Sequence, residues 1–209
     1  MSKVNILKKS VTLFILFVIY SFFAVTNPEI SKWDINVITF LQNKFNNIPV
    51  FIPVLMDSKL YASLIAIPVL TAIIFFFRKY FLIDLILYST SPLIAYFMNI
   101  VIKNIVQRPR PPIELQIAVQ PSTFSFVSSH TLITTTLWGL TIYYLNKYCK
   151  NKILKIFGTV FGIIWIMFVG ISRIWLGVHN PTDVIGGYFL GLILVYTYIN
   201  LIKLVGANA

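Results

Sequence analysis

The chain has 209 residues, of which 58% are hydrophobic and only 11% are charged, and this composition excludes a soluble domain of that size. The formal net charge is +11, from 17 Lys and Arg against 6 Asp and Glu. Cytoplasmic lysines near anionic lipid headgroups would explain most of that excess. The single cysteine, Cys149, excludes an internal disulfide and offers no metal-binding cluster.

Six apolar runs predict membrane-spanning helices, because each approaches the roughly 20 residues that a helix needs to cross the hydrocarbon. They are residues 11–25, 60–77, 81–102, 132–145, 153–171 and 184–204. The first and the fourth are short and need flanking residues to span. None alternates apolar and polar residues as barrel strands do. The sequence therefore predicts an all-α, polytopic membrane helical bundle of about six transmembrane helices, forming one domain over residues 1–209.

The distribution of cations predicts the orientation of this bundle in the plasma membrane. Three lysines precede the first run, and residues 21–26 form a poor cleavage site, so we expect an uncleaved signal anchor. With the amino terminus inside, ten of the 17 Lys and Arg are cytoplasmic, which predicts that both termini are cytoplasmic. Cations placed outside against this rule call for another explanation. These are Lys103, Arg108, Arg110 and Arg173.

An amphipathic segment separates the first two predicted spans. Residues 34–47 place Ile35, Ile38, Leu41 and Phe45 at helical spacing, opposite a polar face that includes Gln42. The pattern is typical of an interfacial helix. A helix packed on the outer end of the bundle fits equally well, and neither interpretation gives the segment a catalytic role.

A proline-rich, basic segment joins the third and fourth predicted spans. Residues 107–129 contain four prolines, which cannot continue a helix, so the segment is predicted to be an outer loop. The two arginines in this loop, Arg108 and Arg110, lie close to the end of the third span.

Polar side chains that suit phosphoryl transfer occur at the outer ends of the last four predicted spans. Their cations could stabilise the charge that spreads over a phosphoryl group in flight. Asp183 follows His179 by four residues and could hold one ring nitrogen, leaving the other as a nucleophile, while His130 could act as general acid. A magnesium site needs carboxylates, and the chain has only six acids in all, so we expect no metal and no cofactor. The candidate residues are Lys103, Arg110, Ser128, Ser129, His130, Arg173, His179 and Asp183.

These residues fall in an order that resembles the type 2 phosphatidic acid phosphatase (PAP2) superfamily. Residues 103–111 read K-x6-R-P, and residues 172–183 read S-R-x5-H-x3-D. The middle family motif is P-S-G-H, and residues 127–130 match it at two of four positions. The resemblance implies six membrane helices and a lipid phosphate as substrate.

The resemblance also implies a role for each matched residue. His179 would attack phosphorus to form a phosphohistidine, Asp183 would orient it, and His130 would protonate the leaving group. The phosphate oxygens would be bound by the remaining matched residues. These are Lys103, Arg110, Arg173, Ser128 and the backbone N–H groups of Ser129 and His130. Arg108 lies outside the spacing and is interpreted as an auxiliary cation at the mouth of the site or as a salt-bridge partner.

Two positions depart from the family pattern. Val127 replaces the proline, which removes a fixed backbone angle. Ser129 replaces the glycine, and serine would be strained there by about 1 kcal/mol or more if the position needed positive φ. We expect instead that Ser129 lies in the first turn of the fourth span, where Ser128 can cap the helix and free N–H groups can face a phosphate.

The sequence thus predicts metal-independent hydrolysis of a lipid phosphate at the outer membrane face. Undecaprenyl diphosphate is the first choice of substrate, with phosphatidylglycerophosphate, phosphatidate and lipid A as alternatives. A non-catalytic protein that binds or transports lipid phosphates is an alternative of another class. A haloperoxidase is disfavoured, because such enzymes resemble larger, soluble proteins. The expected partners are the bilayer and a phospholipid or polyprenyl phosphate, with no nucleic acid.

Overall fold

The computed structural model describes residues 3–47, residue 49, residues 82–117 and residues 122–206. Within these ranges the chain is helical, with one short 3-10 helix at Ile113–Leu115 and no strand. The α-helices are α1 (Lys3–Thr26), α2 (Pro28–Lys44), α3 (Leu82–Val106), α4 (Ser129–Tyr148), α5 (Lys152–Trp175) and α6 (Pro181–Gly206). The predicted helical bundle is confirmed, while the predicted span at 60–77 lies outside the described residues.

Four of the described helices are long and apolar enough to cross a membrane, namely α1, α3, α5 and α6. The predicted fourth span corresponds to α4, which is not among them. It lies at the centre of the bundle, where it packs against α3, α5 and α6. Thr135, Thr136 and Thr141 donate their hydroxyls to carbonyls one turn earlier, which satisfies these polar groups inside the helix.

Glycines on α6 allow the central helix α4 to approach closely. A Cβ at Gly187 would lie 2.9 Å from the Cβ of Thr131, and one at Gly191 would lie 2.7 Å from the Cβ of Thr135. Helices in membranes gain most from such close backbone approach, because burial of apolar surface contributes little between helices in lipid. The α4 and α6 helices therefore form the inner pair of the bundle.

Local sequence signals fix several helix ends and one helix interior. Asn27 and Asn151 accept the first backbone N–H groups of α2 and α5 with their side chains. Pro92 lies inside α3 and cannot donate to the carbonyl of Tyr88. The hydroxyl of Ser91 donates to that carbonyl at 2.8 Å, so the group is satisfied within the helix.

The α2 helix packs on the end of the bundle, which is one of the two interpretations that the sequence left open. Ile38 is fully buried with Ile174 and Val184, so the helix packs on the end of the bundle. Trp33 and Phe40 remain about half exposed on its other side. The predicted division of faces was wrong in two places, since Ile35 is exposed and Gln42 points inward to donate to two backbone carbonyls.

The helices α3 to α6 alternate in direction, so their ends form two groups. One group contains the ends of α3 and α5 and the starts of α4 and α6, and we call it the site end. At the opposite end, Asp84 at the start of α3 accepts hydrogen bonds from Lys147 at 3.1 Å and from Tyr148. The candidate residues named from the sequence all lie at the site end.

Candidate active site

A tight turn between α5 and α6 carries His179. Leu176 and Gly177 donate to carbonyls of the last turn of α5, which ends that helix. Gly177 has φ of +69°, and a Cβ there would lie 1.9 Å from the carbonyl oxygen of Leu115. Only glycine fits this position, because the backbone is left-handed and the neighbouring chain is in contact with it. The turn brings the end of α5, with Arg173, next to His179.

The start of α6 holds the side chain of Asp183. Pro181 is the first helical residue, where its missing N–H costs nothing. Asp183 lies two residues later, at position N3, and accepts the backbone N–H of the N-cap residue Asn180 at 2.8 Å, as the N3 side chain of a capping box does. The carboxylate is fully buried. The helix start therefore supplies one of the contacts that orient this carboxylate.

His179 lies between an acidic group and a basic group. Its Nδ1 is 3.7 Å from Oδ2 of Asp183, an ion-pair distance that is longer than a hydrogen bond, and 3.5 Å from the hydroxyl oxygen of Ser125. That hydroxyl donates to the same Oδ2, so Ser125 bridges the ring and the carboxylate. The other ring nitrogen, Nε2, is 3.4 Å from Nη1 of Arg110.

The surroundings keep the imidazole of His179 neutral. The residue is 3% exposed, and burial is the main cause that lowers its pKa to about 4. The charges of Arg110 and Lys103 also lower this pKa, while Asp183 opposes them. A neutral ring whose Nδ1–H points to Asp183 leaves a lone pair on Nε2, and this lone pair faces Arg110.

The basic residues beside this nitrogen are held by the loop before α4. Arg110 donates to the carbonyl of Thr123 at 2.8 Å, to the Thr123 hydroxyl at 3.1 Å and to the carbonyl of Val178 at 2.5 Å. Lys103, which is 6% exposed, donates to the carbonyl of Phe124. In these contacts both cations donate to neutral oxygens, so the loop fixes their positions near His179.

Arg108 does not lie at the mouth of the site, so that interpretation was wrong. It is 5% exposed and donates to Oδ1 of Asp183 at 2.6 Å and to Asp34 of α2 at 2.8 Å. Burial alone would lower the pKa of its guanidinium, but the charge of Asp183 and the hydrogen bond to Asp34 raise it, so Arg108 stays charged. The alternative interpretation, a salt-bridge partner, is the one that the structure supports.

The start of α4 brings the middle motif to the site end. Ser129 is helical and not in the positive-φ region, as expected, and its hydroxyl donates to Asn99 at 2.9 Å instead of facing the loop. The predicted side-chain cap by Ser128 is wrong, because its hydroxyl makes no capping hydrogen bond and accepts from Thr131 at 3.0 Å. The backbone N–H of Ser128 donates to the carbonyl of Asp183 at 3.1 Å.

The contacts join part of the predicted residues into one network. Lys103, Arg110, His179 and Asp183 are linked through residues 123–125, and Ser128 joins Asp183 by its backbone. His130 is half-buried in the first turn of α4, where backbone N–H groups lack partners within the helix. Arg173 is 1% exposed in the last turn of α5, with its Nε 3.2 Å from the hydroxyl of Ser172.

Sequence reasoning missed several residues of this network. Ser125 stands outside the short middle motif, and Thr123 acts through its carbonyl and hydroxyl, which no spacing pattern predicts. Asp34 was assigned to a helix without a role in the site. One signal was available for it: Asp34 is an acid in a chain with only six, on a helix predicted to lie at the outer end.

Among the described residues, no three His, Cys, Asp or Glu side chains lie together in a way that could hold a metal ion. The carboxylates near His179 are already engaged by protein donors. Asp183 accepts from Arg108, Ser125 and Asn180, and Asp34 accepts from Arg108 and Thr182. The site therefore offers an anion fixed positive charge and backbone donors.

Comparison with known proteins finds a matching family, a similar sequence and a similar fold. The model of the PAP2 superfamily matches residues 84–205, more than half of the chain. Phosphatidylglycerophosphatase B of Bacillus subtilis is 35% identical over 142 residues, which are 65% of this chain and 66% of the relative, slightly under two thirds of its length. The crystal structure of a transmembrane PAP2-type phosphatidylglycerolphosphate phosphatase from Bacillus subtilis matches with a TM-score of 0.72 at 29% identity, covering 93% of this chain and 96% of that one. This chain belongs to the PAP2 superfamily.

Proposed function

We propose that this protein is a lipid phosphatase that removes the phosphate monoester of a phospholipid, with phosphatidylglycerophosphate as its first candidate substrate. The observation that carries the proposal is the position of the His179 ring. One ring nitrogen faces Ser125 and Asp183, and the other faces Arg110. A neutral nucleophile next to a fixed guanidinium suits attack on a phosphate.

The reaction follows two steps through a phosphohistidine. In the first, Nε2 of His179 forms a bond to phosphorus while the bond from phosphorus to the lipid oxygen breaks, and His130 gives its proton to that oxygen. In the second, water attacks phosphorus, the phosphorus–nitrogen bond breaks, and the now neutral His130 accepts the proton from water. Inorganic phosphate leaves, and both histidines return to their starting protonation states.

The cations stabilise the charge that develops on the phosphoryl oxygens. Arg110 lies beside Nε2 of the ring, the charge of Lys103 also acts on the ring, and Arg173 lies in the last turn of α5 before the tight turn. The first N–H groups of α4 add donors at the positive end of a helix. This arrangement does the work that magnesium performs in many phosphoryl-transfer enzymes, so the proposed mechanism is independent of metal.

The names of the two relatives support the choice of substrate. Both compared proteins are named as phosphatases of phosphatidylglycerophosphate, which was an alternative in the sequence analysis, whereas undecaprenyl diphosphate was the first choice there. Undecaprenyl diphosphate, phosphatidate and lipid A are kept as comparison substrates. Their apolar tails would remain in lipid while the phosphate enters at the site end.

The proposed orientation places the site outside the cytoplasm, with both termini inside. The single cysteine of the chain offers a direct test, because Cys149 ends α4 at the end opposite the site. In intact cells, a membrane-impermeant maleimide should label Cys149 only after the inner membrane is permeabilised. A cysteine introduced at exposed Lys32, on α2 near the site end, should be labelled in intact cells, using a Cys149→Ser background.

The proposed activity is tested by phosphate release from the purified protein in liposomes. We expect release from phosphatidylglycerophosphate to exceed release from undecaprenyl diphosphate, to persist in EDTA and to disappear in His179→Ala. Radioactive phosphate from the substrate should be trapped on the wild-type protein as an acid-labile adduct. The matched control is Lys32→Gln, a change in an exposed ion pair on α2.

Three outcomes would contradict separate parts of the proposal. Activity that survives His179→Ala would exclude the phosphohistidine, and activity abolished by EDTA would exclude the metal-free mechanism. A protein that binds these lipids but releases no phosphate would establish the non-catalytic alternative.

A further inference from the structure

We propose that Asp34 of α2 is a positioning residue for the nucleophile: through Arg108 and Thr182 it fixes Asp183, and thereby the ring of His179. This inference rests on the proposed function of the site. Asp34 lies outside residues 84–205, the part of the chain matched by the family model.

Asp34 is built into the start of α6 by hydrogen bonds that span most of the chain. Its Oδ1 accepts the backbone N–H of Thr182 at 3.0 Å, and its Oδ2 accepts the Thr182 hydroxyl at 2.7 Å. The residue is fully buried. A carboxylate at a helix start receives orphan N–H donors and faces the positive end of the helix dipole. Asp34 therefore fixes the first turn of α6 from outside that helix.

Arg108 extends this contact to the carboxylate of Asp183. Its Nη2 donates to Asp34 at 2.8 Å, and its Nη1 donates to Oδ1 of Asp183 at 2.6 Å and to the Thr182 hydroxyl at 2.7 Å. The guanidinium is planar and rigid, so its two amino groups hold one oxygen of Asp34 and one oxygen of Asp183 at a fixed separation. With Oδ1 held by Arg108, Oδ2 is left for Ser125 and His179.

The balance of charge gives Asp34 a second effect on the ring. Arg108 carries one positive charge and pairs with two carboxylates, so Asp34, Arg108 and Asp183 together have a net charge of −1. Without the charge of Asp34, the pair of Arg108 and Asp183 would be neutral. The charged groups that act on His179 are Asp183 near Nδ1, Arg110 near Nε2, and Lys103. Removal of the Asp34 charge would leave Arg108 to pair with Asp183 alone, and the negative charge that Asp183 presents to the Nδ1 side of His179 would be weakened.

The α2 helix is thus a part of the catalytic unit. Its buried face supplies Asp34 to the site and Ile38 to the packing against α5 and α6, while Trp33 and Phe40 are exposed on the other side. No phosphate-binding residue lies on α2, so we expect a change at Asp34 to affect the chemical step and to leave substrate binding nearly unchanged.

The test compares two acids on the same helix. Asp34→Asn removes the buried charge and keeps the size of the side chain, whereas Glu29→Gln removes an exposed charge that pairs with Lys32 at the surface. We expect kcat for lipid phosphate to fall roughly 10- to 100-fold in Asp34→Asn, because misplacement of a reacting group costs about that much, with little change in KM. Asp34→Glu should recover part of this loss, and Glu29→Gln should match the wild type.

A second measurement, by NMR, reports the tautomer of His179 and does not require catalytic turnover. The chain contains only two histidines, so selective 15N-histidine labelling gives two imidazole spin systems, and His179→Ala assigns them. We expect the wild-type His179 signals to report the Nδ1–H tautomer, and Asp34→Asn to shift the population of tautomers. Glu29→Gln should leave these signals unchanged.

The two measurements separate a failure of this inference from a failure of the proposed function. Wild-type kcat and wild-type His179 signals in Asp34→Asn would overturn the positioning role, as would a loss of rate that only follows the loss of folded protein. If the wild-type protein released no lipid phosphate, the proposed function would fail. A change of tautomer in Asp34→Asn would then still support the connection from Asp34 to His179.

Discussion

Replacement of Arg108 by methionine should destabilise the protein strongly, because it leaves two buried carboxylates without their cation. Asp34 and Asp183 are both 0% exposed, and Arg108 itself is 5% exposed. Removal of one partner from a buried ion pair costs about 3–5 kcal/mol of folding free energy. For a chain of this length, that corresponds to a fall in melting temperature of roughly 6–20 °C. Methionine keeps much of the side-chain volume, so lost packing contributes little.

The assay is thermal unfolding of the detergent-solubilised protein across a range of pH. The loss in Arg108→Met should grow from acid to neutral pH, because the uncompensated carboxylates are protonated more readily in the folded state than in the unfolded state. Lys32→Gln, which breaks an exposed ion pair, should change stability by less than about 1 kcal/mol.

The double variant Asp34→Asn with Arg108→Met gives the sharpest comparison. It removes one of the two uncompensated charges, so it should be more stable than the sum of the two single losses predicts. Strict additivity, or an Arg108→Met protein that melts like the wild type, would refute the reasoning.

Three further predictions concern the turn and the nucleophile. The pKa of His179 is about 4 in the folded protein and 6.5 ordinarily, so the unfolded state binds more protons between these values. The contribution of neutral His179 to the free energy of unfolding is therefore complete above pH 6.5 and is lost as pH falls toward 4. In a plot of melting temperature against pH, His179→Ala should lack this part of the pH dependence. Ser125→Ala removes a donor to Asp183 and should lower kcat roughly tenfold or more in the phosphate-release assay, whereas an unchanged kcat would exclude the bridge. Gly177→Ala should lower the melting temperature, since the left-handed backbone costs about 1 kcal/mol or more and the new Cβ overlaps Leu115; wild-type melting would contradict this.

The helices and the proximity of His179 to Asp183 could be predicted because both depend on signals that are local in the chain. Apolar runs predicted α1, α3, α5 and α6, and the i, i+4 spacing of His179 and Asp183 predicted their proximity. Ser129 was placed in the first turn of α4 by helix-start chemistry alone.

The residues that fix this chemistry in place could not be predicted, because their partners are distant in sequence. Arg108 reaches back to Asp34 and forward to Asp183, and both contacts depend on how α2 folds over the bundle. Hydropathy also favoured a polar outer face for Gln42, although the side chain donates inward to the carbonyls of Leu115 and Trp175. Spacing rules describe one helix at a time and carry no information on such crossings.

The polarity of α4 has a consequence for how the protein enters the membrane. Its threonine hydroxyls bond to the backbone of their own helix or are buried in the bundle, and the helix is not apolar enough to count among the candidate spans of the described residues. A segment of that kind partitions poorly from the translocon into lipid by itself. Three residues, 149–151, connect it to the strongly apolar α5, so we expect the two to leave the insertion channel together as a hairpin.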